Sequence, residues 1–392
     1  HRGRGIEAIG RPRRTGVSRL AGDHRDVRPL SGEQSNSSVV LSNVAIAKLV
    51  RQLAPGDHPD VTLPTHLRAN GFDHVPGVLG TLDLDLPGES SPGAVVVVHD
   101  LVPNECDLWQ WSQDVLTREV EALASDHEPT SDDAGMIAVT GLLAQRTAEM
   151  HVALSMPGPG FDPQPFTLLW QRSVLQSLRA SLRETQRLLR RSRGSLAEAD
   201  TEAATRLLDD GDALLLGSFE RMRKEKLDVA RIRIHGDYHL GQVLWTGHDV
   251  VMIDFEGEPG RSIGERSIKR SALTDVGGMM RSFDYAGRVA LATSQERGRI
   301  SATQVAALEG WRRRWTTRVQ DHFWQSYLEG IAGAELVGGG PPLVPADAEH
   351  ATLLLDGNIL SKALYEVRYE LAQRPSWVGW PLAAIAQLLE KS

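Results

Sequence analysis

Cysteine is almost absent from this 392-residue sequence: Cys106 stands alone, so no disulfide can form within the chain. This usage fits a reducing compartment such as the cytoplasm. No apolar run approaches the ~20 residues of a membrane helix, and the most notable one, Ala94–Val98, has the length of a strand. An excess of basic charge is also missing, since the formal net charge is -8 at pH 7. These absences argue against a disulfide-stapled domain, a membrane-spanning protein and a general nucleic-acid binder.

The pattern of turns and apolar runs predicts an α+β protein with two lobes. Residues 1–26 are basic, rich in Gly and Arg and without periodicity, which predicts a tail or the remnant of a preceding domain. Residues 27–103 alternate short β-type runs with polar turns and contain one short helix, as in a small antiparallel sheet. Residues 104–392 show helical spacing, interrupted by strand-like runs between 231 and 255. Ligands favour the cleft between such lobes.

The interruption, "RIHGDYHLGQVLWTGHDVVMIDFEGEP", carries an unusual number of ionisable groups. Asp237 follows one strand in a glycine-loosened turn, and Asp254 ends another, "VVMID". If these neighbouring strands end at the same edge, Asp237, Gln242 and Asp254 come together. One carboxylate would accept a proton from an attacking hydroxyl, while the amide oxygen and the second carboxylate would hold Mg²⁺ against nucleotide phosphates. The segment therefore predicts phosphoryl transfer.

Two other interpretations of this stretch remain open. His235, Asp237 and His239 alternate along one strand face and could begin a metal cluster, although zinc sites usually need three or four ligands and no other Cys or His pair completes this one. The same residues could be hydrogen-bonded polar groups of a structural turn. His235 itself is predicted to be a packed, structural histidine.

The β-rich lobe supplies groups that could contact phosphates. Small polar residues form the turn "SGEQSNSS", whose backbone N–H groups and hydroxyls can cap phosphates; the residues concerned are Glu33, Gln34, Ser35, Asn36 and Ser37. Lys48 follows on the third strand of the meander, within "AIAKLV". A lysine among apolar strand residues is well explained as a donor to the α- and β-phosphates of a nucleotide.

Read in order, "GEQSNSS", "AIAK", "HGDYHLGQ" and "IDFEGEP" resemble maltokinases, within the aminoglycoside-phosphotransferase-like branch of the protein-kinase fold. "LVPNECDLWQW", "RTAEMHVAL", "FDPQPFT" and "KALYEVRYELAQRPSWV" resemble the same family, in particular the form fused to trehalose synthase. The resemblance covers roughly residues 27–385. It implies a bilobal kinase fold and phosphorylation of maltose by ATP at the anomeric hydroxyl. The product would be maltose 1-phosphate, which feeds α-glucan synthesis from trehalose, with a trehalose synthase, fused or separate, as a possible partner.

The resemblance also implies roles for individual residues. Asp237 would be the catalytic base, and Gln242 and Asp254 the Mg²⁺ ligands, assisted by Glu256. Lys48 and the Glu33–Ser38 turn would contact the phosphates of ATP. The segment Val98–Val102, including His99, Leu101 and Val102, would be the hinge that meets the adenine through backbone groups.

For the sugar, the resemblance points to the helix around "KALYEVRYE". Lys362, Tyr365, Glu366 and Tyr369 share one helix face, and His239 is assigned to the same acceptor site. Aromatic rings and carboxylates suit a carbohydrate, but the alternative is a helix that packs its tyrosines and pairs Glu366 with arginines. Asp275 is predicted either to tie down the catalytic turn or to cap its own helix.

Two departures from the family pattern leave other functions open. Only residues 1–26 stand where relatives carry a cap subdomain. In the stretch after Lys48, "PDVT" places Thr62 where a glutamate is expected to pair with that lysine. The alternatives are therefore a kinase of the same fold acting on glucosamine, another sugar or an aminoglycoside, and a catalytically weak nucleotide-binding module of a synthase assembly.

Overall fold

The computed structural model describes residues 8–13, 26–30, 37–51, 53–85, 89, 91–125, 132–258, 261–334, 336 and 339–390. Over these ranges the chain has the predicted α+β architecture. A small lobe built on a β-sheet is followed by a large, mostly helical lobe. The proposed division between residues 103 and 104 falls in the segment that joins the last strand of the small lobe to the large lobe.

Six strands in the described part of the chain form the small-lobe sheet, in the spatial order β1-β5-β6-β4-β3-β2. They are β1 (Ala8–Pro12), β2 (Val27–Pro29), β3 (Ser37–Leu41), β4 (Ala45–Leu49), β5 (Val78–Leu84) and β6 (Gly93–Asp100). Every neighbouring pair is antiparallel. The predicted meander is thus present as β2 to β4. The tail prediction is corrected for Ala8–Pro12, because this segment pairs along its whole length with β5.

Helix α1 (Pro59–Ala69) connects the sheet to the large lobe. It begins with Pro59 in its first turn, and Gly71 follows its C-cap with a φ of +82°, a backbone region that favours glycine. Leu63 and Leu67 are buried in the same hydrophobic core cluster as the large-lobe helices. The helix therefore packs on the large lobe although its sequence neighbours belong to the small one.

The large lobe is organised around one main hydrophobic core, with a small second cluster at Val120, Leu291 and Ile300. Its helices are α2 (Leu108–Ala124), α3 (Asp132–Leu154), α4 (Leu168–Ser192), α5 (Glu198–Ser218), α6 (Glu220–Lys224), α7 (Ile263–Arg266), α8 (Leu273–Glu296), α9 (Ala302–Ile331), α10 (Ala348–Gln373) and α11 (Gly379–Glu390). Short strands lie between them: β7 (Cys106–Asp107), β8 (Gln164–Pro165), β9 (Ala230–Arg231), β10 (Val243–Trp245) and β11 (Val250–Met252). No helix in the described ranges is long and apolar enough to cross a membrane.

The hairpin β10–β11 is the part of this lobe that builds the site. The two strands pair antiparallel with Val243 opposite Met252, and the backbone N–H of Ile253 donates to the carbonyl of Gln242 at 3.0 Å. Gln242 and Asp254 therefore stand at the same end of adjacent strands, as predicted. The strand predicted for 231–234 is shorter than expected, since it ends at Arg231 and continues as an isolated bridge between Ile232 and Arg270.

Candidate active site

A tight turn places Asp237 at the head of the site. Gly236 has a φ of +87°, and a Cβ there would lie 3.4 Å from the Cα of Gly257, so glycine suits both the conformation and the space. The carboxylate of Asp275 on α8 accepts the backbone N–H groups of His235 and Gly236 at 2.8 and 2.9 Å. The turn that carries Asp237 is thus held in place by a buried carboxylate.

Asp275 holds the turn and does not cap its helix. The N-cap of α8 is Ala272, and Asp275 lies inside the first turn, so the capping alternative is wrong. Its Oδ2 also lies 3.2 Å from Nε2 of His151, whose Nδ1 contacts the Tyr327 hydroxyl at 2.8 Å. These groups are almost fully buried. The chain of contacts joins three helices to the turn that carries Asp237.

Lys362 lies directly beside Asp237, with Nζ 3.0 Å from Oδ1. Burial alone would raise the pKa of Asp237, but the charge of Lys362 and the hydrogen bond from Lys362 outweigh it and lower the pKa. The carboxylate is therefore ionised at neutral pH and can accept a proton. Lys362 is predicted for the acceptor site, and the structure places it in contact with Asp237, the predicted base.

The two histidines around Asp237 have different surroundings. Nε2 of His235 lies 2.9 Å from the carbonyl of Ile253, and its ring packs against Phe255, which agrees with the predicted structural role. His239 accepts the backbone N–H of Gly241 through Nδ1. Burial lowers the pKa of His239, although the charges of Asp237 and Asp254 oppose this. His239 is therefore neutral at physiological pH and lies within electrostatic reach of both carboxylates.

Asp254 has a left-handed backbone conformation, with a φ of +66°. Aspartate tolerates this region better than most residues, and such strained positions cluster at functional sites. Its Oδ2 accepts a hydrogen bond from Nε2 of Gln242 at 3.0 Å, and its Oδ1 lies 2.8 Å from Nζ of Lys48. The predicted approach of Gln242, Asp254 and Lys48 is thus present.

Lys48 links the two lobes. From β4 it contacts Asp254 of the large lobe and Asp60 of α1, the latter at 2.9 Å. Burial opposes its charge, yet the carboxylates of Asp60 and Asp254 outweigh this and raise the pKa of Lys48. It is therefore a fixed cation beside Asp60 and Asp254, as a donor to nucleotide phosphates needs to be.

The sequence analysis did not identify Asp60 as the partner of Lys48. The expected glutamate is replaced by Thr62, which faces the carbonyl of Pro59 at 3.5 Å, and Asp60 of the same "PDVT" takes the pairing with Lys48. Burial opposes the ionisation of Asp60, but Lys48 and His99 lower its pKa. The aspartate of "PDVT" could have indicated this pairing, because an acidic residue in the first turn of α1 reaches Lys48.

Three residues of the predicted hinge, His99, Leu101 and Val102, have contacts within the protein. His99 is buried and its Nε2 lies 3.0 Å from Asp60, so its side chain belongs to the Lys48–Asp60 group. The backbone N–H of Leu101 already donates to the carbonyl of Val44 at 3.0 Å. The carbonyl of Val102 accepts the side-chain amide of Asn104 at 2.9 Å. A backbone contact with adenine at this segment stays a prediction.

The residues present fit a hard divalent cation. Among the described residues, one group of three carboxylates has ligand atoms within 4.8 Å of one another: Asp60, Asp254 and Glu256. Oxygen ligands of this type, with the amide of Gln242 adjacent, are those that Mg²⁺ prefers. The alternative cluster of His235, Asp237 and His239 does not meet the same criterion.

The proposed sugar helix presents only part of its predicted set. Tyr365 and Tyr369 stack with centroids 6.3 Å apart, and Tyr369 is 42% exposed. Glu366 is buried, and its Oε2 accepts a hydrogen bond from Nε of Arg281 at 2.9 Å and lies 2.8 Å from Nη2 of the same guanidinium. The prediction that Glu366 contacts the acceptor is therefore corrected in favour of the arginine pairing.

The phosphate-capping turn lies largely outside the described residues. Glu33, Gln34, Ser35 and Asn36 fall in the undescribed range 31–36. Ser37 begins β3, and its Oγ accepts a hydrogen bond from Arg51 at 3.0 Å. The contact of this turn with ATP stays a prediction.

Comparison with known proteins agrees with this geometry. The family described as phosphotransferase enzyme family (APH) matches residues 26–314. The chain is 27% identical over 391 residues to a glucosamine kinase of Streptacidiphilus jiangxiensis, covering 96% of this chain and 75% of that protein. A glucosamine kinase of Mycolicibacterium smegmatis is 27% identical over 376 residues, covering 94% and 80%. A solved glucosamine kinase in complex with glucosamine, ADP and inorganic phosphate has a TM-score of 0.68 at 23% identity, covering 95% of this chain and 81% of that one. With most of its length matched, the chain belongs to the phosphotransferase enzyme family.

Proposed function

We propose that the protein is a kinase that transfers the γ-phosphoryl group of ATP to a hydroxyl of a small sugar. The observation that carries the proposal is the contact of Lys48 with Asp254, beside the turn that presents Asp237. Phosphoryl transfer depends mainly on positioning and on stabilising charge, and these residues supply both. Asp254, Gln242 and Glu256 would hold Mg²⁺, which neutralises charge on the phosphate oxygens.

We infer the roles of the residues from their contacts. Asp237 accepts the proton of the acceptor hydroxyl, whose oxygen forms a bond to the γ-phosphorus. The bond from that phosphorus to the β-phosphate oxygen breaks, and ADP leaves with the electron pair. Lys48, freed from Asp254 when phosphates arrive, donates to them, while Asp60 keeps it in place. Adenine would contact the backbone of the Leu101–Val102 segment, and Ser37 and its neighbouring turn would cap the phosphates.

The first acceptor that we propose is glucosamine, and the second is maltose. Glucosamine is supported by the two relatives that cover 94% and 96% of the chain. Glu258, whose charge acts on Tyr365 and Arg368, adds a carboxylate on the acceptor side, where an ammonium group could lie. Maltose, phosphorylated to maltose 1-phosphate, is supported by the sequence motifs around Asp237 and Asp254. A trehalose synthase partner would follow only from maltose.

The test is mass analysis of products from purified protein, Mg-ATP and each acceptor in turn. We expect glucosamine to gain one phosphoryl group and the Asp237→Asn variant to give no product while it still binds ATP. Product from maltose alone would replace the first acceptor by the second. Binding of Mg-ATP without phosphorylation of glucosamine, maltose, other sugars or aminoglycosides would overturn the proposal and leave a nucleotide-binding module.

A further inference from the structure

A group of basic side chains lies on the large lobe just before the catalytic turn. Arg231 and Arg233 alternate along the segment that leads into His235 and Asp237. The backbone of Ile232 pairs with that of Arg270 through two hydrogen bonds of 2.9 Å, which brings Lys269 alongside. Three cations are therefore collected at one place by a short antiparallel bridge.

Arg233 is the central member and the least expected one. It is only 8% exposed, and its Nε is buried without a hydrogen-bond partner among the described residues. Its guanidinium lies 5.5 Å from the ring of Phe161. Burial lowers the pKa of Arg233, and no nearby carboxylate in the described ranges offsets this. Leaving a buried cation without an acceptor costs free energy, so such a group suggests that an acceptor is supplied by a ligand.

The neighbouring cations are held by neutral groups. Arg231 donates to the carbonyls of Pro165 and Lys269 at 3.2 and 3.3 Å and to Oε1 of Gln164 at 3.0 Å, and it stacks on Trp170 at 3.9 Å. These acceptors orient the guanidinium but carry no net charge, and burial lowers its pKa.

Lys269 is bound in the same way. It donates to the backbone carbonyl of Asp162 at 2.5 Å. Burial lowers the pKa of Lys269. The charge of Asp162 opposes this effect, and the charges of Arg233 and Arg231 add to it. Among the described residues, Asp162 is the one carboxylate whose charge acts on Lys269, and burial alone acts on Arg231 and Arg233, so the group carries an excess of positive charge.

We propose that Arg231, Arg233 and Lys269 form a binding site for a phosphate group, present either as free phosphate or on a sugar phosphate. A phosphate dianion supplies several acceptor oxygens and the missing negative charge, and guanidinium groups match its geometry. The site is distinct from the group of Lys48, Asp254 and Asp237. Because Arg233 stands two residues before His235, an anion there also stabilises the segment that carries the catalytic turn. This site does not depend on the acceptor, or on kinase activity.

The test measures thermal unfolding against inorganic phosphate, with ionic strength held constant by chloride. Wild-type protein gains stability as phosphate is added. Arg233→Met loses that gain, with binding weakened by about 10-fold or more, as expected for lost charge-assisted hydrogen bonds. Lys48→Met, which removes a cation from the nucleotide site, keeps the gain. Arg172→Met, a change at an exposed arginine of α4, keeps it too.

Further variants guard against a folding defect. Arg231→Met and Lys269→Met, at less buried positions, each weaken phosphate binding, and Arg233→Lys retains part of it. Glucose 6-phosphate tested in parallel separates the two sources: tighter binding than inorganic phosphate assigns a sugar phosphate, and weaker binding assigns free phosphate. A gain that disappears in Lys48→Met but persists in Arg233→Met, or no gain in wild-type protein, overturns the proposal.

Discussion

Asp60 accepts hydrogen bonds from both lobes at once. Its Oδ2 is in hydrogen-bond contact with Lys48 and His99 of the sheet. Its Oδ1 accepts the backbone N–H of Phe255, the residue after Asp254, at 3.1 Å. A carboxylate so placed orients the lysine and steadies the segment that carries Asp254. Lys48 is therefore held by Asp60, although Thr62 stands where a glutamate is expected.

We expect Asp60→Asn to reduce kcat/KM for ATP by about 10- to 100-fold, since an oriented charge contact of this kind contributes about 1.5–3 kcal/mol. Steady-state kinetics over a range of ATP concentrations measure the effect. A second variant, Asp60→Asn with Thr62→Glu, restores the carboxylate at the position the family pattern favours and should recover part of the loss. Unchanged ATP kinetics in Asp60→Asn would show that Lys48 needs no partner on α1.

Lys362 should control the acid side of the pH profile. It lowers the pKa of Asp237, so removing it by Lys362→Met leaves burial, which raises that pKa. Asp237 would then take up a proton at higher pH, so the acid limb of the kcat/KM profile shifts to higher pH. The pH–rate profile between pH 4.5 and 8 measures the shift.

Lys362→Arg, which keeps the charge, serves as the control and should leave the limb near its wild-type position. If both variants lose activity equally at every pH, Lys362 acts only in binding the acceptor.

The residues that sequence could locate are those whose chemistry is local. Gln242 and Asp254 lie at the same end of the hairpin β10–β11, so their approach follows from local strand pairing. Asp60 could not be found in this way, because its partner depends on where α1 packs. The prediction that Glu366 contacts the acceptor was wrong for the same reason. Glu366 shares a helix face with Tyr365, but its partner Arg281 lies on another helix, whose position the local sequence does not reveal.

At the scale of elements, buried charge pairs join the three helices behind the site. Arg281 on α8 bonds Glu366 on α10, and its Nη1 bonds Asp284 at 2.9 Å. Arg312 on α9 bonds the other oxygen of Asp284 at 2.9 Å. All of these groups are nearly excluded from solvent. Helix α10, which carries Lys362 and Tyr365, is thus tied to the helix that supports the catalytic turn.

Glu366→Gln tests this structural role. We expect the free energy of unfolding to fall by about 1–3 kcal/mol, because Arg281 loses one buried charged partner, while KM for the acceptor stays within about twofold of wild type. Urea denaturation and acceptor kinetics measure the two quantities. The matched change is Tyr369→Ala at an exposed position, which should raise KM for the acceptor with little loss of stability. The opposite pattern in Glu366→Gln would return that carboxylate to the acceptor site.

Elements with strong local signals agree with the patterns in the sequence. The long helices and the strands of the meander follow from apolar spacing and turn residues. Strand β1 was missed, because its sequence, "AIGRP", has no alternation and only pairing with β5 makes it a strand. Helix α1 was predicted, but its attachment to the large-lobe core depends on tertiary contacts that local sequence does not encode.

At the scale of the whole molecule, buried titratable groups make folding depend on pH in two ranges. Burial lowers the pKa of His58, His66 and His239 below the unfolded value of 6.5. The pKa of Asp60 and that of Asp284 are also lowered, because nearby cations outweigh burial. In both sets the unfolded chain binds more protons than the folded one, so stability falls as pH falls.

We therefore expect the free energy of unfolding, measured by urea denaturation from pH 8 to 3, to decrease in two steps. The first begins as pH falls through about 6.5, where unfolded histidines gain protons, with a slope of up to about 1.4 kcal/mol per pH unit for each proton. The second begins near pH 4, where unfolded aspartates do. His66→Gln should flatten the first step, since its ring is stacked on Phe161 at 3.6 Å and stays neutral in the fold. His248→Gln, at an exposed position, should not. An equal slope in all three proteins would mean that His66, although stacked on Phe161, does not contribute to the acid sensitivity of the fold.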